Sequence, residues 1–320
     1  MKYAARRLLH SVLLLAALSV LSFLFADFAP GDFYSEMRLN SRISASTVDA
    51  LRAERGLDRP LPVRYAAWLA SVARGEFGYS LAYGSAVGPL LWQRIPGTLV
   101  LTMTATLLAW LLAIPLGIWN AAKRGSWSDS LTKVILSVVL AIPDLLLAVI
   151  FLVLAVESGC LPAGGMHSPG APNWSAAQRF QDTLRHLVIP VGVLVLGMLP
   201  VLARHVRAAM AEALDAPFAL AARAHGIPRR RLLFRHVLPV ALNPLVTLLG
   251  FSLGTLLSAS LLIEVIVGWP GLGPLFLEAI LARDFAVVLG VVMVSATLLI
   301  AANLAADILL YRADPRIRTQ

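Results

Sequence analysis

A loop that cradles nucleotide phosphates needs a Gly-Lys-Ser/Thr core, because backbone amides and one lysine must reach the phosphates. The lysines of this chain are Lys2, Lys123 and Lys133, and none follows a glycine. ATP hydrolysis would therefore need a separate chain. Cys160 is the single cysteine, so neither an intrachain disulfide nor a thiolate cluster can form, and the six histidines show no ligand spacing. What remains is one carboxylate and one charged island. Asp144 follows Pro143 about eleven residues past Lys133, which at about 1.5 Å per residue puts it near the centre of a membrane span. A carboxylate there costs about 2.5 to 3.5 kcal/mol on insertion scales, so it should face a wet cavity or a partner rather than lipid. Two readings stay open: Asp144 lines a solute path, or it is a buried carboxyl that satisfies the backbone opened by Pro143.

The island runs from Asp215 to Asn243, DAPFALAARAHGIPRRRLLFRHVLPVALN, between two long apolar runs. Its first part is punctuated as a very short helix. Asp215 can cap it, Pro217 suits its first turn, Gly226 supplies a left-handed stop and Pro228 forbids continuation. Isolated helices shorter than about 12 to 15 residues are marginal, so this one needs something to pack on. Phe218, Leu220, Ala221 and Ala222, beside Ala224, offer a small apolar surface, and Arg229 to Arg231 follow it. One reading is a knob presented to a groove on another protein. The other is a loop helix lying on lipid headgroups, its arginines acting as topology signals.

The elements that hold these residues are long and apolar. With 58% hydrophobic and 14% charged residues in 320, the chain is too greasy for a soluble domain and reads as an all-α polytopic membrane protein. Six spans are expected: Leu8 to Ala26, the stretch between Arg94 and Lys123, Val134 to Val156, Leu187 to Ala203, Val237 to Ile263, and Phe285 to Ala306. The first lacks a cleavage site and is read as a retained helix. Pro190 and Pro200 predict kinks in the fourth. Between the first two spans lie two helix signals, Ser46 with Asp49 closed by Gly56, and Pro62 to Arg74 closed by Gly75. In the second, Val63, Ala67 and Ala70 share a face with Trp68 beside them. These helices form either a platform for an external partner or a passive cap. Ser175 is placed to cap a further short helix before Arg185.

The net charge of +9 is sorted along the chain. Lys2, Arg6 and Arg7, then Lys123, Arg124 and Lys133, then the Arg204 to Arg235 island, then Arg312, Arg316 and Arg318 fall on one side if both termini are cytoplasmic. The short outer loops carry Arg179, Arg185 and Arg283 against Glu157, Asp182, Glu264, Glu278 and Asp284. Topology explains this charge better than nucleic acid does. The expected division is a first transmembrane helix at 1–28, an outer region with short helices at 29–96 (periplasmic if the membrane is a bacterial inner one), a five-helix core at 97–310 containing a cytoplasmic loop at 204–239, and a cytoplasmic tail at 311–320.

The island resembles the EAA loop of permease subunits of bacterial ABC importers, which reads Glu-Ala-Ala, three residues, Gly, nine residues, Ile-x-Leu-Pro. Ala221, Ala222, Gly226, Leu238 and Pro239 fall in register, with Leu220 in place of Glu and His236 in place of Ile. The subfamily is similar to the dipeptide, oligopeptide and nickel permeases, where an Ala-Arg-Ala-Lys-Gly run is usual. Here it is Ala222-Arg223-Ala224-His225-Gly226, with His225 for the lysine. Further segments match in order: Pro30-Gly31-Asp32, Gly56-Leu57-Asp58-Arg59-Pro60, Arg64-Tyr65, Trp68-Leu69 and Gly75-Glu76-Phe77-Gly78-Tyr79-Ser80. Arg204, Arg207, Met210 and Glu212 match the run into the loop, although their plain role is as snorkelling anchors. Glu264, then Gly268-Trp269-Pro270-Gly271-Leu272-Gly273, then Arg283-Asp284 match an outer turn, which is either a gating contact or a plain re-entry turn.

The resemblance implies the type I ABC importer permease fold in a bacterial inner membrane, with no catalysis and no cofactor in this chain. It implies a second homologous permease, two ATPase subunits that bind ATP and Mg, and a periplasmic substrate-binding protein, all assembled in membrane lipid. The ATPases would be gripped through Asp215, Pro217, Phe218, Ala221, Ala222, Arg223, His225, Gly226, Leu238 and Pro239. Pro143, Asp144, Asn243 and Glu264 are the candidates for the solute path. The cargo would be a dipeptide or oligopeptide, with nickel or another small solute as the alternative. Two other classes stay open, a self-contained ion-coupled secondary transporter and a structural subunit with no path.

Overall fold

The computed structural model describes residues 2–28, 44–54, 56, 58–170 and 173–313. The segments at 30–32, at 57 and at 314–320 that figured in the sequence reading lie outside them. Five described helices are long and apolar enough to cross a membrane, or six if one bent pair counts as a single span. The residues fall into two compact units, one formed by 1–98 with 270–300 and the other by 99–269 with 301–320.

In the first unit, α1 (Lys2–Phe28) is met by the amphipathic α3 (Leu61–Ala73). Tyr65 and Trp68 set their rings 5.5 and 5.7 Å from Phe23, Tyr65 shares a 2.9 Å hydrogen bond with Ser19, and Arg64 reaches Asp27 at 2.5 Å. The face that packs is therefore that of Arg64, Tyr65 and Trp68, whereas Val63, Ala67 and Ala70 are exposed. Aromatic rings take the contact because they bring more area and edge-to-face geometry than alanine can. The short α2 (Ala45–Glu54) is capped by Ser44, whose hydroxyl accepts from the Thr47 amide at 3.2 Å, two residues earlier than the expected Ser46.

Among the described residues a two-stranded hairpin, β1 (Tyr79–Ser80) and β2 (Ser85–Ala86), interrupts the helices. Asp284, just before α11 (Phe285–Ala313), accepts hydrogen bonds from the Ser80 hydroxyl at 2.6 Å and the Ala82 amide at 3.0 Å. Two segments more than 200 residues apart, Gly75 to Ser80 and Arg283-Asp284, are thus joined. Tyr83 donates its phenol to Glu278 of α10 (Leu272–Leu281), and burial together with that carboxylate pushes the phenol up to about 12. Gly97 in α4 (Val87–Ala122) lies under the Pro270 carbonyl, where a Cβ would come within 2.5 Å.

The second unit is organised around α7 (Ala176–Asp215), a helix of 40 residues and about 60 Å. Ser175 caps it in a reciprocal box with Gln178, so the expected short helix before Arg185 is its first turns. Pro190 and Pro200 lie inside it without ending it, both buried. Lipid tails are as apolar as leucine, so helices in a membrane associate by close approach at small residues. Gly117 of α4 accordingly sits against Val206, and Gly250 of α9 (Leu238–Ile266) against Asn303 and Ala306.

The expected third span is broken. The helices α5 (Trp127–Ala141) and α6 (Asp144–Ser158) meet at 92°, with Ile142 extended and Pro143 preceding the first residue of α6. Proline disfavours helical geometry in the residue before it and lacks the amide that would continue the ladder, and both effects act here at once.

Candidate functional site

The island folds as a suspended short helix. α8 (Pro217–Ala224) is eight residues long and starts at Pro217, but Asp215 does not cap it. Asp215 is the last residue of α7, its carboxylate is taken by Arg124 at 2.8 Å, and the cap position belongs to Ala216, which offers no side-chain oxygen. At the other end Gly226 has φ +74°, its amide donates to Arg223 O at 2.9 Å, and the His225 ring donates from Nδ1 to Ala221 O at 2.8 Å. These bonds satisfy carbonyls that a helix end leaves open.

Two arginines hold this helix to the rest of the unit. Arg223 donates to Leu214 O near the end of α7 at 3.3 Å, and Arg229 donates to Ala122 O, the last carbonyl of α4. Each cation sits where a helix dipole leaves negative charge, which favours it. A cleft of about 520 Å³ lies among these ends, with Arg124, Arg223, Ile227 and Arg229 on its wall. Inward, Ala219 is buried and Ala222 half-buried; outward, Phe218, Leu220, Ala221 and Ala224 are exposed. Ala222 thus belongs to the inner face rather than to the expected outer surface. The outer face keeps two large apolar side chains, Phe218 and Leu220, that the described chain covers only in part.

After one helical turn at Arg229–Arg231, residues Leu232–Val237 form a π-helix in which the Leu238 amide bonds Leu233 O. Pro239 explains it. Lacking an amide, it cannot bond the carbonyl four residues back, and the ladder takes up one extra residue before α9 begins. Leu238 is half-buried and Pro239 exposed.

The residues proposed for a solute path do not converge. Asp144 lies at the α5–α6 break, and its carboxylate rests against Gly197 of α7, where any side chain would collide with it. Pro143 and Asn243 are exposed, whereas Glu264 is fully buried within α9. Sequence reasoning missed Asp129. It is fully buried, pairs bidentately with Arg207 at 2.8 and 2.9 Å, and is joined by Lys133 at 2.8 Å. Arg207 is therefore an internal strut rather than a headgroup anchor. The spacing of Asp129 and Lys133, four apart in one helix, was the available signal.

Five or six helices long and apolar enough to cross a membrane, with a short apolar-faced helix hung from the ends of α7 and α4, define a multi-pass membrane protein. The chain belongs to the family of binding-protein-dependent transport system inner membrane components, matched over residues 113–319, with the N-terminal region of that family matched over 1–102. It is 34% identical to the oligopeptide transport system permease protein AppB of Bacillus subtilis, over 98% of both chains. It is 31% identical to OppB of Mycobacterium tuberculosis and 30% identical to the dipeptide permease DppB of Alkalihalophilus pseudofirmus, each over 99% of both chains. Among solved structures, a chain of the inward-facing MetNI methionine ABC transporter shares the fold, with a TM-score of 0.53 and 22% identity over 70% of this chain and 96% of that one. The protein is a multi-pass component of the inner membrane.

Proposed function

We propose that this chain is the permease subunit of an ATP-driven importer that carries dipeptides or oligopeptides across the bacterial inner membrane. The chain itself is non-catalytic. ATP and Mg belong to two ATPase subunits that grip α8, a second related permease completes the path, and a periplasmic binding protein delivers the cargo. Both termini and the Arg204 to Arg235 island lie on the cytoplasmic side. The observation that carries the reading is the suspension of α8 by Arg223 and Arg229 from the ends of α7 and α4, with Phe218 and Leu220 facing outward. A pull on α8 then reaches two spans directly, as exchange between inward-open and outward-open states requires. Within this reading the break at Pro143 and Asp144 lines the path, since an irregular backbone and a carboxylate at membrane depth belong beside water. The permeases AppB, OppB and DppB support peptides over nickel as cargo.

The test is reconstitution in proteoliposomes with the partner permease, ATPases and binding protein. Peptide uptake should require ATP and all partners, and Ala221→Asp on the outer face of α8 should abolish uptake while leaving the spans folded. Uptake by this chain alone, driven by a proton or sodium gradient, would replace the proposal with a secondary transporter.

A further inference from the structure

Where α5 runs antiparallel to the last turns of α7, two stripes face each other across a groove of about 150 Å³. Lys133, Leu136, Ser137 and Leu140 line it from α5, and Pro200, Arg204 and Arg207 from α7. Because the helices are antiparallel, all the cations gather at one end and the leucines and proline at the other. Lys133, Arg204 and Arg207 bring three positive charges, and Asp129 answers one of them. Arg204 is exposed and forms no ion pair among the described residues. Asp144 lies at the apolar end beside Gly197, about 10 Å along α7 from Arg204, so the basic end keeps its excess. A second, independent feature is Asn120, which lines the same groove at 2% exposure with its Oδ1 lacking a hydrogen-bond partner among the described residues. Buried acceptors are nearly always satisfied, so one left open in a groove marks the place of a donor.

We infer that this groove is a binding site for a phosphatidylglycerol-type phospholipid. The phosphate sits between Lys133 and Arg204, a headgroup hydroxyl donates to Asn120 Oδ1, and the acyl chains leave along Leu136 and Leu140. The order of the lining, cationic then apolar, is the order of an amphiphile, and basic pockets between membrane helices suit anionic headgroups. The volume takes a headgroup and not the chains, which leave past Leu140, itself exposed at the apolar end.

The intact chain, stripped of lipid in detergent, can be titrated in native mass spectrometry with phosphatidylglycerol, with diacylglycerol and with glycerol phosphate. Phosphatidylglycerol should bind and the other two should not. Occupancy should fall about tenfold or more in the Lys133→Gln, Arg204→Gln double variant, and again in Ser137→Trp, which fills the groove from an exposed position without changing charge. Arg179→Gln, at the far end of α7, should bind like the parent. Equal retention of diacylglycerol would overturn the site, as would indifference to both groove variants. Glycerol phosphate bound as tightly as the lipid would make it a soluble-anion site, and displacement by a tripeptide would make it part of the solute path; either result refutes the lipid assignment.

Discussion

If Phe218 and Leu220 anchor an ATPase subunit, removing both should weaken the grip by an amount set by the area they leave bare. A phenylalanine presents about 200 Å², and 40% exposure leaves about 80 Å² for a partner. At about 25 cal/mol/Å² that is about 2 kcal/mol. Leucine is worth about 2 kcal/mol when fully buried, so 52% exposure leaves about 1 kcal/mol. The translational cost of association is common to variant and parent and cancels in the difference. Phe218→Ala with Leu220→Ala should therefore weaken binding by about 3 kcal/mol, which raises the dissociation constant about a hundredfold at about 1.4 kcal/mol per decade. Alanine is the strongest helix former, so α8 itself should persist. The assay is binding of purified ATPase subunit to the permease pair in nanodiscs, with thermal unfolding measured alongside. An affinity within threefold of the parent would refute the anchoring role.

Asp129→Ala strands the Arg207 guanidinium, and removing one member of a shielded pair costs on the order of 3 kcal/mol, read as a lower unfolding temperature in detergent. Gly197→Ala should cost about 1 to 3 kcal/mol by driving a methyl into the Asp144 carboxylate, and adding Asp144→Ala should recover most of it; a strictly additive double variant would disprove the contact. Tyr83 has its phenol raised above its ordinary value of 10, so the protonated form favours folding. The gain is complete below pH 10 and is lost as pH climbs towards 12. Phenolate absorbance, parent minus Tyr83→Phe, should therefore appear near pH 12, and appearance near 10 would contradict the contact with Glu278.

The short helix was legible because its punctuation is local. Pro217, Gly226 and Pro228 act within a turn of their own positions. Its cap was misread because Asp215 answers Arg124, 91 residues away, and no local rule carries that information. The break at Pro143 hid inside continuous hydropathy, while Pro190 and Pro200 looked equally disruptive and end nothing. Tertiary packing decides between those outcomes: the two prolines of α7 are buried among neighbours that hold the helix together, whereas Pro143 is exposed. The pairs Asp129 with Arg207 and Ser80 with Asp284 were invisible for the same reason as the cap, since their partners meet only once the chain has folded.

The length of α7 has a mechanical consequence. At about 60 Å it is twice the roughly 30 Å thickness of a hydrocarbon core, so much of it projects beyond the lipid. A tilt of about 5° displaces one tip of such a rod relative to the other by about 5 Å. Small rotations at one membrane face are thereby amplified into side-chain-sized strokes at the opposite tip, as in a cantilever.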